Sequence, residues 1–212
     1  WLSPNHEYRP TKYFQNWVNI WSNEQLRLKN AKKLQKIRLQ NIVKYWSTSR
    51  YLKLKKSTLV QKISSFQKKI DEAANIQELL SIEGRMTKFL FHLLSTHHNM
   101  DFTRDHDEKE GVNGLLNHGN YLAYGYAASL LWTLGISFSF ALMHGKTRKG
   151  GLVFDIADIF KDALVLPLAF EYAQLGKNHQ AYRDELVERI IESGVISDTY
   201  DAVKEISLSE NE

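Results

Sequence analysis

The sequence predicts an all-α domain. Apolar residues recur at helical spacing over 11–46 and again over 75–97, a pattern typical of helices with one buried face. The segment 152–170 is apolar on nearly every face and carries acids three and four residues apart, as a buried helix with one polar stripe would. With 43% hydrophobic and 25% charged residues, the composition is that of a globular protein. Its 212 residues suffice for one large domain or two small ones.

The composition also limits the cellular compartment. The chain has no cysteine, which excludes a disulfide framework and a thiolate metal site and is compatible with a reducing cytoplasm. We therefore expect a cytoplasmic protein. The chain begins at Trp1 without a charged and then apolar leader, so we expect no secretory signal. Because the first residue is not methionine, we expect a fragment of a longer protein.

Positive charge is concentrated in one tract. The formal net charge is only +4, but residues 27–69 hold fourteen of the 28 Lys and Arg and no acid, which leaves −10 for the rest of the chain. Such asymmetry indicates a polyanionic partner for one part of the surface. Lys32, Lys33 and Lys36 are our candidates for this contact, although a solvated or partner-facing helix face also explains any single lysine.

The predicted elements are separated by polar or small residues. After an irregular lead-in over 1–10, one long helix covers 11–46, and 47–49 form a break. The later elements are a basic helix over 58–70, a helix over 75–97, a loop over 99–111, a helix that ends near Gly135, an extended segment over 136–143, a helix over 152–170, two amphipathic helices over 185–193 and 198–206, and a frayed tail over 207–212. Pro167 should kink or end the helix in which it lies.

Glu83 is an acid on an apolar helix face. Positions 76, 79, 83, 90 and 94 lie within roughly 40° of one another around a helix, and all but Glu83 are Ile or Leu. A carboxylate there lies at the edge of the apolar stripe, pairs with a cation, or serves a function. The spacing alone leaves these three alternatives open.

The loop 99–111 contains a second candidate. Its His106-Asp107 pair resembles the His-Asp pair of helical metal phosphohydrolases. That pair should lie within a helix, whereas here it lies in an acid-rich loop beside a glycine. Solvent-exposed surface is therefore the favoured interpretation, and a His-Asp metal phosphohydrolase is kept as an alternative function.

The run 121–143 contains no Asp, Glu, Lys, Arg or His and is long enough to span a bilayer. Its second half alternates Ile, Phe and Leu with small or hydroxyl residues, which predicts an extended segment inside a protein core. We therefore expect no membrane association. His144 ends this segment, and a lone histidine in such a place is more often structural than a ligand.

Asp155, Asp158 and Asp162 form a stripe at i, i+3 and i+7 down one face of the following helix. Three like charges in an apolar setting repel one another, and a divalent cation is a common remedy. Asp162 alone is also explained by pairing near Lys161 or at a helix terminus. The stripe predicts a metal site beside this helix.

Several runs resemble the CRISPR-associated protein one family, the spacer-acquisition integrases. They are LLSIEGRMTKFLF around Glu83, NGLLNHGNYLAYGYAASLLWTLG followed by LMHG at His144, and LVFDIADIFKDALVLP with Asp155 and Asp158. The opening EYRPTKYFQNWVNIW and the runs HGNYLAYG and HGKTRKG resemble subtype I-F members in particular. The resemblance implies a multi-helix catalytic domain over 1–212, and the N-terminal β-rich domain of family members has no counterpart in this sequence.

The resemblance implies a metal-dependent DNA integrase and endonuclease. Glu83, His144 and Asp158 would coordinate Mg²⁺ or Mn²⁺, and Asp155 would lie next to the metal in a supporting or alternative-ligand role. The implied reaction joins prespacer 3′-hydroxyl ends to repeat phosphodiesters by transesterification, and the same site would be a nuclease with water as the nucleophile.

The resemblance also implies partners. Lys146, Arg148 and Lys149 follow His144 in sequence and would hold a phosphate backbone, with the tract 27–69 as the wider footprint. The implied partners are prespacer and repeat DNA, a second copy of the full-length protein, and CRISPR-associated protein two, which subtype I-F fuses to a helicase-nuclease. The alternative is a non-catalytic helical nucleic-acid-binding module, which the basic tract alone would support.

Overall fold

The computed structural model describes residues 11–47, 52, 56–145 and 149–208, and this part of the chain forms eight helices and no strand. The helices are α1 (Thr11–Ser22), α2 (Glu24–Trp46), α3 (Lys56–Glu72), α4 (Ile76–His98), α5 (Gly111–Thr133), α6 (Gly151–Gln174), α7 (His179–Ser193) and α8 (Val195–Leu208). The predicted all-α class is confirmed. The predicted lead-in over 1–10 and most of the predicted break over 47–49 lie outside the described residues.

Helix α6 lies at the centre of the domain. It packs against α2, α4, α5, α7 and α8, and most of its residues up to Glu171 are buried, as its apolar composition predicts. Pro167 does not end the helix, which continues to Gln174. Of the two alternatives predicted for Pro167, a kink or a helix end, the helix end is therefore wrong. A proline removes one helical hydrogen bond, but the residues on both sides of it are buried on every face and hold the helix in place.

Asn23 divides the helix predicted over 11–46 into α1 and α2. Its Oδ1 accepts hydrogen bonds from the backbone N–H groups of Gln25 and Leu26, each at 3.0 Å, and its own backbone is extended. Asparagine is a strong N-cap because this side-chain bond satisfies donors that have no partner within the helix. The apolar periodicity continues across Asn23, so the pattern alone predicted one helix where the structure has two.

The boundaries of α3 and α4 lie within two residues of the predicted ones. Helix α7 begins earlier than predicted, because the Asn178 side chain caps the N–H of Ala181 at 2.9 Å. Gly194, in the left-handed region at φ 66°, separates α7 from α8. Helix α8 runs to Leu208, so the first two residues of the predicted tail are helical, and 209–212 lie outside the described residues.

The uncharged run 121–143 is shared between α5 and the connection to α6. Helix α5 ends at Thr133, two residues before Gly135 at φ 70°, as the sequence predicts. Leu130 and Leu131 are buried in the core at this end of the helix. Within the described ranges, no helix combines the length and the apolar character that crossing a membrane requires.

The segment predicted to be extended over 136–143 forms turns and bends instead. Two of its carbonyl groups accept hydrogen bonds from side chains, and the carbonyl of Phe138 accepts one from the backbone N–H of Leu152 at 3.1 Å. Trp17 Nε1 donates to the carbonyl of Phe140, and Arg27 Nε donates to the carbonyl of Leu142, each at 2.8 Å. The alternation of large and small residues therefore reflects an irregular loop packed on the core.

Candidate active site

Asp155 connects the loop before α6 to the helix itself. It lies in the second turn of α6 and is 2% exposed. Its Oδ2 accepts hydrogen bonds from the backbone N–H groups of Leu142 at 2.7 Å and Met143 at 3.0 Å. Its Oδ1 lies 2.6 Å from Nδ1 of His144. The carboxylate therefore fixes both the loop backbone and the orientation of the imidazole ring.

The same loop lies closer to the start of α6 than a side chain would allow. A Cβ added to Gly151 would lie 2.8 Å from the carbonyl oxygen of His144 and 3.0 Å from Cβ of Ala141. Gly150, directly before it, adopts the left-handed conformation at φ 67°, which glycine adopts without steric cost. The two glycines therefore allow the loop that carries His144 to pack against α6.

Arg38 of α2 reaches α4 and α6 in the interior of the domain and is 1% exposed. Its Nη1 lies 3.0 Å from Oε1 of Glu83 on α4 and 3.7 Å from Oδ2 of Asp158 on α6. Its Nε donates to Oδ2 of Asp162 at 2.8 Å, and its Nη2 contacts the same oxygen. One guanidinium group therefore forms ion pairs with three carboxylates from two helices.

Asp158 has a second cation. Lys161, one turn later on α6, donates to Oδ1 of Asp158 at 2.5 Å, and its Nζ lies 5.7 Å from the centre of the Tyr124 ring on α5. Burial alone would raise the pKa of Asp158, but the charges of Lys161 and Arg38 outweigh it and lower that pKa to about 2. Asp158 is therefore ionised at neutral pH.

His144 lies within electrostatic reach of the same carboxylates. Burial alone would lower its pKa, but the hydrogen bond to Asp155 and the charges of Asp158 and Glu83 raise the pKa above its ordinary value. The four residues singled out in the sequence thus lie in one region, with His144 and Asp155 as a bonded pair and Glu83 and Asp158 at Arg38. The carboxylate cluster, as we call it below, consists of Arg38, Glu83, His144, Asp155, Asp158, Lys161 and Asp162.

The expected convergence of Glu83, His144 and Asp158 on one point is not seen. Across the described residues, no three His, Asp or Glu side chains are grouped so as to hold a metal ion. Arg38 instead lies at ion-pairing distance from two of the three expected ligands. The charge of the cluster nevertheless fits a divalent cation, because among the residues that the structure describes the ion pairs of its four carboxylates involve two permanent cations, Arg38 and Lys161. Carboxylate and imidazole ligands also suit Mg²⁺ and Mn²⁺.

The lysines of α2 that we expect to bind nucleic acid are partly exposed and have partners within the chain. Lys33 pairs with Glu205 at 2.7 Å, and Lys36 pairs with Asp71. Lys32 donates to the backbone carbonyl of Asp71 at 2.9 Å. Ion pairs at an exposed surface contribute only about 0–1 kcal/mol to stability. A phosphate group can therefore compete with Glu205 for Lys33 and with Asp71 for Lys36.

The basic loop after His144 is only partly described. Lys149 is exposed, two residues before the start of α6. Lys146 and Arg148 lie outside the described residues. Their contact with a phosphate backbone therefore stays a prediction.

His106 and Asp107 are exposed and lie in the connection between α4 and α5. The backbone N–H of Asp107 donates to Oδ1 of Asp105 at 2.9 Å, as in a polar surface turn. The helical setting that a His-Asp phosphohydrolase site requires is missing. The exposed position agrees with the interpretation favoured from the sequence.

Sequence reasoning missed Arg38. Within the basic tract it is one of fourteen similar cations, but its helical phase distinguishes it, because Leu34, Arg38 and Ile42 are four residues apart and all buried. A cation on the apolar face of one helix and Glu83 on the apolar face of another are complementary anomalies that indicate a buried ion pair. Asp162, too, pairs with Arg38 rather than with a neighbour on its own helix.

The sequence matches a known family over most of its length. Residues 2–190 match the family described as CRISPR associated protein Cas1. The chain is 38% identical over 216 residues to a CRISPR-associated endonuclease Cas1 of Pseudomonas aeruginosa (strain UCBPP-PA14), with 98% of this chain and 66% of that protein covered. It is 42% identical over 194 residues to the protein of the same name from Pectobacterium atrosepticum, with 86% and 59% covered. The chain thus spans less than two thirds of the length of these relatives.

Solved structures share the fold. The TM-score is 0.75 with a Cas1 protein from Thermotoga maritima, at 18% identity and with 96% of this chain and 72% of that one covered. It is 0.70 with a TtCas1–DNA complex (19% identity, 95% and 68% covered) and 0.69 with a casposase bound to integration product (12% identity, 99% and 67% covered). The family resemblance found in the sequence is confirmed, and the Pseudomonas relative supports its subtype I-F-like character. The chain belongs to the Cas1 family.

Proposed function

We propose that this chain carries the catalytic centre of a divalent-metal-dependent DNA integrase and endonuclease of CRISPR adaptation. The observation that supports this most strongly is the carboxylate cluster, in which Asp155 orients His144 and one guanidinium group meets both Glu83 and Asp158. The two bacterial relatives are named as CRISPR-associated endonucleases, which supports phosphodiester chemistry for this chain.

Glu83, His144 and Asp158 would hold one Mg²⁺ or Mn²⁺. When bound, such an ion polarises a scissile phosphate and lowers the pKa of an attacking hydroxyl. Asp155 would orient the imidazole through Nδ1, so that Nε2 is the coordinating nitrogen. Arg38 and Lys161 hold Asp158 in its ionised form at neutral pH, which is the form that a cation requires.

The proposed reaction is a transesterification. The 3′-hydroxyl oxygen of an incoming DNA strand attacks a phosphorus atom of the repeat and loses its proton. A new P–O bond forms as the bond to the leaving 3′-oxygen breaks, and the leaving oxygen takes up a proton. With water as the nucleophile, the same residues would catalyse hydrolysis of the phosphodiester.

The basic face of α2 would supply the wider DNA contact. Lys32, Lys33 and Lys36 lie on this face, and Lys146, Arg148 and Lys149 follow His144 in sequence and would meet the backbone near the reacting phosphate. Among structures of the same fold, one is a complex of TtCas1 with DNA and one is a casposase bound to integration product. We extend DNA binding to this chain on that basis.

The proposed partners concern the full-length protein. We expect it to act on prespacer and repeat DNA as a homodimer in the cytoplasm. We expect it to act together with CRISPR-associated protein two, which is fused to a helicase-nuclease in subtype I-F. These proposals rest on the family resemblance.

Substitution of the expected ligands tests the proposed function. In the full-length protein, Glu83→Ala, His144→Ala and Asp158→Ala should each reduce Mn²⁺-dependent cleavage and strand joining by more than about 100-fold, since loss of an outer partner of a metal ligand already costs about 10–100-fold. Duplex DNA binding should persist. The control is Glu188→Ala, which removes an acid on the surface of α7. Wild-type rates for Glu83→Ala or Asp158→Ala would leave only a non-catalytic DNA-binding domain.

A further inference from the structure

Arg38 is anchored at Asp162. Asp162 is 1% exposed. Its Oδ2 accepts one hydrogen bond from Nε of Arg38, at 2.8 Å, and another from Nη2 of the same guanidinium group. Because a guanidinium group is planar and rigid, fixing these two nitrogens also fixes the direction of Nη1. Nη1 is the nitrogen that meets Glu83 at 3.0 Å and Asp158 at 3.7 Å.

Thr87 forms a second link to Glu83. It lies one turn after Glu83 on α4, where its Oγ1 accepts a hydrogen bond from Nη2 of Arg38 at 3.0 Å and donates one to Oε1 of Glu83 at 3.1 Å. The same Glu83 oxygen also accepts from Nη1 of Arg38. Two donors from different helices therefore restrict a side chain that otherwise has several rotamers.

We infer that Arg38, Asp162 and Thr87 form a positioning unit, which sets the location and orientation of the Glu83 and Asp158 carboxylates for a divalent cation. The inference rests on the proposed function, because it places the cation at these two carboxylates. The unit acts through them and does not itself bind the cation. The unit connects α2, α4 and α6, and so fixes the carboxylate of Glu83 on α4 relative to that of Asp158 on α6.

If Arg38 served only as a counter-charge, its loss would change the Mn²⁺ affinity in the opposite direction to the loss of a positioning residue. A cation next to the carboxylates repels a second cation, so if Arg38 only balanced charge, its loss would strengthen Mn²⁺ binding. If Arg38 positions the carboxylates, its loss weakens Mn²⁺ binding. Variants that keep the charge of Arg38 separate the two roles, because a counter-charge role predicts an unchanged Mn²⁺ affinity for them and a positioning role predicts weaker Mn²⁺ binding.

Thr87→Val is the first test, because it keeps charge and volume and removes only the bridging hydroxyl. The control is Thr199→Val, which removes a buried hydroxyl that donates to the carbonyl of Val195 within α8. Calorimetric titration of the full-length protein with Mn²⁺ should show a Kd about 10-fold higher for Thr87→Val and an unchanged Kd for the control. Thermal unfolding of both variants measures their folding.

Arg38→Lys is the second test, because it keeps the charge but replaces three donor nitrogens in one plane by a single ammonium. The Kd for Mn²⁺ should rise about 10–100-fold although the variant still unfolds cooperatively. Wild-type or tighter Mn²⁺ binding by Thr87→Val overturns the inference, and the same result for a folded Arg38→Lys does so independently.

Failure of the proposed function gives a different result. If the wild-type protein binds no Mn²⁺, or Glu83→Ala binds it as tightly as the wild type, the cation does not belong to these carboxylates and both proposals fall. If Glu83→Ala loses the cation while Thr87→Val and Arg38→Lys bind it like the wild type, only the positioning unit is wrong.

Discussion

Oδ1 of Asp155 lies 2.6 Å from Nδ1 of His144. Oδ2 of the same carboxylate accepts hydrogen bonds from the backbone N–H groups of Leu142 and Met143, in the loop that ends at His144. One side chain thus shapes the loop and also orients the ring at its end. In the proposed site, this makes Asp155 a positioning residue for His144, which agrees with the supporting role that the resemblance implies.

Asp155→Asn should lower the free energy of unfolding by about 1–3 kcal/mol, because an amide NH₂ would replace an oxygen that faces N–H donors. Urea unfolding of the wild type and the variant measures the difference. Asp201→Asn, at an exposed position of α8, is the matched control. A decrease for Asp155→Asn no larger than that for the control would contradict the structural role of this carboxylate.

The same pair should make stability depend on pH. The folded-state pKa of His144 is raised above an unfolded value of about 6.5. The pairing therefore stabilises the fold fully below that unfolded value and is lost as pH rises through the folded pKa. Measured without added metal, the difference in stability between the wild type and Asp155→Asn should be larger near pH 6 than near pH 9. Equal differences at the two pH values would mean that His144 does not titrate against Asp155.

The combined changes Lys32→Gln, Lys33→Gln and Lys36→Gln should weaken binding of unrelated duplex sequences to a similar degree, because lysines that bind phosphate read no base sequence. The slope of log affinity against log salt concentration should flatten by roughly 0.9 for each DNA phosphate that the variant no longer neutralises. Fluorescence anisotropy at a series of salt concentrations measures both effects.

The control for the lysine variant changes Lys12, Lys109 and Lys177 to Gln. These lysines are exposed on other parts of the surface, and the change in net charge is the same. If the α2 variant kept the wild-type slope, or if the control changed the slope equally, the α2 face would be assigned to a protein partner or to plain solvent exposure.

Gly151→Ala should displace the loop that carries His144, since the new Cβ would lie 2.8 Å from the His144 carbonyl oxygen. We expect a decrease in stability of about 1–3 kcal/mol together with reduced Mn²⁺-dependent cleavage. Gly125→Ala is the control, because a Cβ there meets no atom within 4 Å and alanine stabilises a helix interior by about 0.5–1 kcal/mol. Equal stability of the two variants would show that the loop does not need its close approach to α6.

Most helices could be predicted because their signals are local. Two predictions that were wrong rest on local patterns that more than one structure can produce. Apolar periodicity continued across Asn23, although its side chain begins a new helix. The alternation over 136–143 looked like a strand, although side chains such as Trp17 and Arg27 satisfy the carbonyl groups of a loop.

Part of the candidate site could likewise be predicted from local signals, and part could not. Its acids and His144 stood out because charged or polar residues interrupt apolar runs. The principal cation, Arg38, lies 45 positions from Glu83 and 124 from Asp162 in sequence. The helical phase of Arg38 indicates that its side chain is buried, but the identity of its partners depends on how α2 packs against α4 and α6.

The most direct measurement is the anomalous difference density of Mn²⁺ in crystals of the full-length protein. The proposed function predicts one peak roughly 2 Å from carboxylate oxygens of Glu83 and Asp158 and from Nε2 of His144, with Arg38 still bonded to Asp162. A peak bound by other residues, or no peak at a Mn²⁺ concentration that supports cleavage, would contradict the assignment of catalysis to this cluster.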